Sequence, residues 1–123
     1  MPGSVQTLAR FGPPLVLMAL IFAASAQTDL STGLGVWDTI GRKLVHMAEY
    51  GLLWWLWWRA LGRGPAWPAA AIAIAYAASD ELHQHFVAGR HGTPVDVAID
   101  AAGIAIAIGL VRWRRGRAAG AAA

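Results

Sequence analysis

The chain has 123 residues, of which 57% are hydrophobic and only 14% charged, with a net charge of +3 and no cysteine. That balance excludes an ordinary soluble domain, which needs more polar surface around its core. It also excludes disulfides, thiolate nucleophiles and cysteine metal sites. No base-reading motif accompanies the basic residues, so nucleic acid is not an expected partner; the expected partner is the lipid bilayer.

Four apolar stretches follow one another, at roughly 11–26, 44–61, 66–86 and 95–113. A span needs about 17–25 helical residues to cross about 30 Å of hydrocarbon. The second, third and fourth stretches fit. The first is short and opens at Pro13-Pro14, a pair that suits a helix start better than its interior. Arg10, the apolar run and Ala24-Ser25-Ala26 also have the pattern of a signal peptide with a small-residue cleavage site. Short links at 63–65 and 88–94 join antiparallel neighbours. The expected fold is all-α, a small polytopic bundle of four transmembrane helices, or three if the first is a cleaved signal. The expected division is a cytoplasmic N-terminus at 1–10, a transmembrane domain at 11–113 and a basic, Ala/Gly-rich cytoplasmic tail at 114–123.

With four spans, one face of the membrane holds Arg10, Arg59, Arg63, Arg112, Arg114, Arg115 and Arg117, and the other holds Arg42, Lys43 and Arg90. The positive-inside rule then puts both termini in the cytoplasm and the chain in the plasma (inner) membrane. Trp54, Trp55, Trp57, Trp58, Trp67 and Trp113 fall towards the same face, as an aromatic belt would.

The informative residues lie at the opposite face. Lys43, His46, Glu49 and Tyr50 open the second stretch. Asp80, Glu81, His83, Gln84 and His85 close the third, Arg90 lies in the link, and Asp96 and Asp100 open the fourth. Ionisable residues near lipid are costly and mark functional sites by default. Lys43, His46 and Tyr50 share one helix face, and so do Asp80 and Gln84, Glu81 and His85, and Asp96, Asp100 and Gly103. Local roles compete with a site role. Asp38 could cap the second helix, and Thr93 could cap the fourth with Pro94 at its first position. Asp96 would then complement the helix dipole. Arg90 could staple Glu81 or Asp96, Lys43 could snorkel, and Glu49 could pair with Arg42 or Lys43.

The string Lys43-x-x-His46-x-x-x-Tyr50, Asp80-Glu81-Leu82-His83-Gln84-x-Phe86-x-x-Gly89-Arg90-x-x-Thr93-x-x-Asp96 and Gly103 resembles the VanZ-like membrane proteins over about 38–110. The resemblance implies a small multi-spanning protein; the founding member is linked to low-level resistance to the glycopeptide teicoplanin. It implies site residues Lys43, His46, Tyr50, Glu81, Gln84, Arg90, Thr93 and Asp96. Asp100 stands where the family usually has Asn, and it joins the candidate site as an added carboxylate.

Three function classes follow. The first is a non-enzymatic protein whose outward polar site binds a cell-envelope component, such as a lipid-linked precursor or a glycopeptide. The second is a membrane-embedded hydrolase or transferase, with His46 as base, Glu81 or Asp96 orienting it and Arg90 steadying an anion. A metal variant would use His46, Glu81 and Asp96, but His-Glu-x-x-His spacing is missing, so neither a metal nor another cofactor is expected. The third is an ion-coupled transporter, which four short helices serve poorly unless they form a homo-oligomer.

Overall fold

The computed structural model describes residues 2–25, 35–84, 86 and 94–122. Four helices run in order: α1 (Pro2–Ser25), α2 (Val36–Ala60), α3 (Trp67–Gln84) and α4 (Pro94–Ala122), with no strand among the described residues. Neighbours alternate in direction. Phe11 of α1 lies by Trp57 of α2, and Phe22, near the other end of α1, stacks on His83 at the end of α3. The bundle therefore runs up-down-up-down, as its short links require.

α1 differs from the expected first stretch. It begins at Pro2, so Pro13 and Pro14 lie inside it rather than at its start. Proline lacks an N–H and leaves the carbonyl four residues earlier without a helical donor. For Pro13 that carbonyl belongs to Ala9, and Arg59 of α2 donates to it at 2.6 Å. In return Arg10 donates to the carbonyl of Ala60, the last residue of α2. Each helix thus supplies a guanidinium to a carbonyl the other cannot satisfy itself. The extra turns also make α1 long and apolar enough to span a membrane at Gly3–Ala24, as α4 is at Pro94–Gly120. α2 carries Asp38, Arg42 and Lys43 in its first half and Glu49 near its middle, and α3 has 18 residues ending in polar ones.

The core is small. Ile21, Tyr50, Leu53, Trp54, Trp58, Ala69, Ala73, Ala77 and Ile104 form it, while Leu8, Val16, Leu20, Leu44, Leu110 and other large apolar side chains face outward. Asp80, Gln84 and Asp100 are buried. Charge inside and leucine outside is the reverse of a soluble protein and suits a lipid surround.

Two features fix the helix contacts. Ala69, Ala73 and Ala77 form a stripe of small residues on α3, and Asp80 and Gln84 continue that buried stripe. Small residues let helices approach closely in lipid. α2 and α4 come closest at Gly51 and Gly103. A Cβ on Gly103 would collide with the Met47 carbonyl oxygen, and one on Gly51 would stand 3.0 Å from the Gly103 carbonyl oxygen. Backbone cannot shift aside as a flexible side chain can, so Gly103 requires glycine, while Gly51 leaves an added methyl little room.

Two of the tryptophans assigned to an interfacial belt do other work. Trp54 and Trp58 are buried and stack at 5.4 Å. Their indole N–H groups donate to the carbonyls of Ala66 and Gly64, fastening the α2–α3 link. Trp67 and Trp113 are exposed, as a belt expects. α2 ends in a Schellman turn: Gly62 adopts φ 93°, its N–H bonds Arg59, and the Arg63 N–H bonds Trp58.

Candidate functional site

The first turns of α2 and α4 and the last turn of α3 meet at one end of the bundle. α4 begins at Pro94, and Asp96 occupies its first turn, where a carboxylate complements the helix dipole. From there Asp96 reaches α2: its Oδ1 lies 3.5 Å from Lys43 Nζ. Lys43 is therefore paired rather than only snorkelling. One turn deeper, Asp100 is 6% exposed, and its Oδ1 lies 3.8 Å from His46 Nδ1. The same nitrogen lies 3.8 Å from Glu49 Oε2. Both pairs are longer than a hydrogen bond and are ionic only while the imidazole is protonated.

Tyr50 is one turn deeper again and fully buried. Its hydroxyl has no hydrogen-bond partner among the described residues, yet lies within electrostatic reach of Asp80, Asp100 and Glu49. Gln84 Nε2 donates to Asp80 Oδ2 at 3.4 Å across one turn of α3. Asp80, Asp96, Glu49 and Glu81 all act electrostatically on Asp100. Among the described residues, this end of the bundle gathers carboxylates around the His46 imidazole, the Lys43 ammonium, the Gln84 amide and the Tyr50 phenol.

The structure thus brings Lys43, His46, Tyr50, Gln84, Asp96 and Asp100 together, with Glu81 half-buried at the edge. Arg90, Thr93 and His85 lie outside the described residues. The proposed cap by Asp38 is not formed: the capping residue is Gly35, and Asp38 lies inside the first turn. Glu49 pairs with His46 instead of Arg42 or Lys43. The partners expected to orient His46 also change, from Glu81 or Asp96 to Asp100 and Glu49. The reason is register: Asp96 stands one turn too far out on α4 and meets Lys43. His83 turns away to stack on Phe22 at 4.2 Å. Among the described residues no three His, Asp or Glu side chains are placed to hold a metal ion, so His46, Glu81 and Asp96 form no three-ligand centre.

Asp80 and Glu49 do not belong to the set of site residues that the family resemblance implies. Asp80 had a readable signal, its spacing of four from Gln84, which puts both on one helix face. Glu49 has one too: it stands three residues after His46, a spacing that makes the two neighbours on α2.

A compact bundle of four helices, apolar outside and acidic within one end, defines a small helical membrane protein with a terminal polar site. The VanZ/LLP1 family model matches residues 6–115, nearly the whole chain, and the protein belongs to that family. No curated protein and no solved structure matches it.

Proposed function

We propose that the acidic end faces outward from the plasma membrane, with both termini in the cytoplasm, and binds a cell-envelope component. A lipid-linked wall precursor or a glycopeptide of the teicoplanin type is the ligand class, and protection against such antibiotics the consequence. The carrying observation is that Lys43, His46, Tyr50, Asp80, Gln84, Asp96 and Asp100 converge from three helices on one end of the bundle. Family membership and the arginine-rich opposite end support this reading.

Binding of a lipid-linked wall precursor and of a glycopeptide to the purified protein tests it, with Glu81→Gln and Asp96→Asn as variants. Loss of binding with normal membrane insertion is the expected result. Wild-type binding by both variants overturns the site. The chain has no cysteine, so single cysteines placed at 37 and 114 report sidedness cleanly. Labelling of position 114 from outside overturns the orientation.

One observation favours a second reading, a membrane-embedded hydrolase or transferase. His46 presents Nδ1 to Asp100 and Glu49, which leaves its other ring nitrogen to take a proton. Turnover of the same precursor, lost in His46→Ala, would replace binding by catalysis.

A further inference from the structure

The other end of the bundle has a charge problem of its own. Residues 1–28, 50–79 and 101–123 contain no Asp or Glu, yet they carry Arg10, Arg59, Arg63, Arg112, Arg114, Arg115 and Arg117. Arg10 and Arg59 are engaged by backbone carbonyls. Arg63 and Arg115 are different. They come from separate elements, the α2–α3 link and the far end of α4, and both guanidinium groups meet at the ring of Trp58. The distances to its centroid are 5.8 Å for Arg63 and 4.9 Å for Arg115. Trp58 is held rigidly by its bond to Gly64 and its stacking on Trp54.

Arg63 also adopts φ 59°, a left-handed conformation uncommon for a residue with a side chain. Its guanidinium lies over the Trp58 ring. Two exposed guanidinium groups gathered on one indole repel each other, and no Asp or Glu among the described residues stands at this end to relieve them. The ring attracts each cation but leaves both charges unneutralised.

We infer that Arg63 and Arg115 clamp the phosphate of one anionic phospholipid headgroup against Trp58. Guanidinium groups bind phosphate through paired N–H donors. Large apolar side chains of α4, Leu110 and Ile106 among them, are exposed on the outer surface of the bundle. A lipid fits this arrangement better than a free ion, because the site stands where the apolar surface of the bundle meets its charged end. The inference is independent of which ligand the acidic end takes.

Native mass spectrometry of the whole protein, released from micelles doped with phosphatidylglycerol or phosphatidylcholine, reads lipid retention directly. One retained phosphatidylglycerol is expected for the wild type, with no matching retention of phosphatidylcholine. Arg63→Lys and Arg115→Lys keep the charge but lose the paired donors, and each should weaken retention about tenfold. Arg112→Lys and Arg117→Lys should retain as wild type. Equal retention by all four variants means diffuse surface charge and overturns the clamp. Equal retention of both lipids by the wild type overturns it without any variant. Inorganic phosphate that raises the melting temperature of the detergent-purified protein as much as phosphatidylglycerol does would overturn the lipid as occupant.

Discussion

The side chain of Arg59 donates to the carbonyl of Ala9, the carbonyl that Pro13 leaves without its helical N–H. A defect in one helix is thus repaired by its neighbour, which ties α1 to α2 at a fixed register. The repair makes the two residues conditional on each other. Arg59→Ala should destabilise the protein by ~1 kcal/mol, the usual net worth of such a bond. In a Pro13→Ala background, where the backbone N–H returns, the same change should cost much less. A double-mutant cycle on thermal unfolding in detergent measures the difference, and equal costs in both backgrounds would sink the account.

Gly103 should be the least replaceable glycine. Its added Cβ would meet the Met47 backbone, whereas that of Gly51 meets a carbonyl oxygen and a methyl group at 3.0 and 3.3 Å. Gly103→Ala should therefore lower the melting temperature more than Gly51→Ala, on the scale of overpacking, about 1–3 kcal/mol. Because both changes force α2 from α4, they should also loosen the Lys43–Asp96 and His46–Asp100 contacts that depend on that approach.

Tyr50→Phe separates packing from recognition. The phenol oxygen is buried with no hydrogen-bond partner among the described residues. Removing it should leave stability unchanged or raise it, since an unsatisfied buried hydroxyl costs about 1–3 kcal/mol. Ligand binding should fall. A variant that melts lower than wild type would show that the hydroxyl is already satisfied within the bundle.

Asp100→Asn removes one buried carboxylate from a group that includes Asp80, Asp96, Glu49 and Glu81. Relief of that repulsion should outweigh the loss of a 3.8 Å contact with His46. A raised melting temperature is expected. A marked fall would show that the His46 pair holds α2 to α4.

Lys43 and Asp96 are 43% and 37% exposed as side chains. Their pair should contribute at most ~1 kcal/mol to stability. Lys43→Ala should therefore insert and melt almost as wild type, and a loss of several degrees would place the pair in a drier setting than its exposure implies.

Much of the architecture was legible in the sequence because apolar runs of membrane length leave few alternatives, and short links force antiparallel helices. Helix faces were legible too, so Lys43, His46 and Tyr50 align as their spacing requires. Pairings between helices were not. Spacing states which residues share a face but not the depth at which two faces meet, and that depth decides that Asp96 takes Lys43 while Asp100 takes His46. Tryptophan identity likewise cannot tell a lipid-facing indole from one buried against its neighbour, so Trp54 and Trp58 read as a belt although they fasten a link. Pro13 read as a helix start because its compensation, Arg59, lies on another helix.

The separation of acid from arginine along the bundle makes the molecule an electric dipole set across the bilayer. Moving one unit charge through a membrane potential takes about 2.3 kcal/mol per 100 mV. With the arginine end on the negative side, inversion would drive both sets of charges against the field at once. Six carboxylates on α2, the end of α3 and the start of α4, and the arginines at the opposite end, therefore act together as a compass needle. An energised membrane would hold that needle in one direction, and the polar site would keep facing one compartment without any device dedicated to pointing it there.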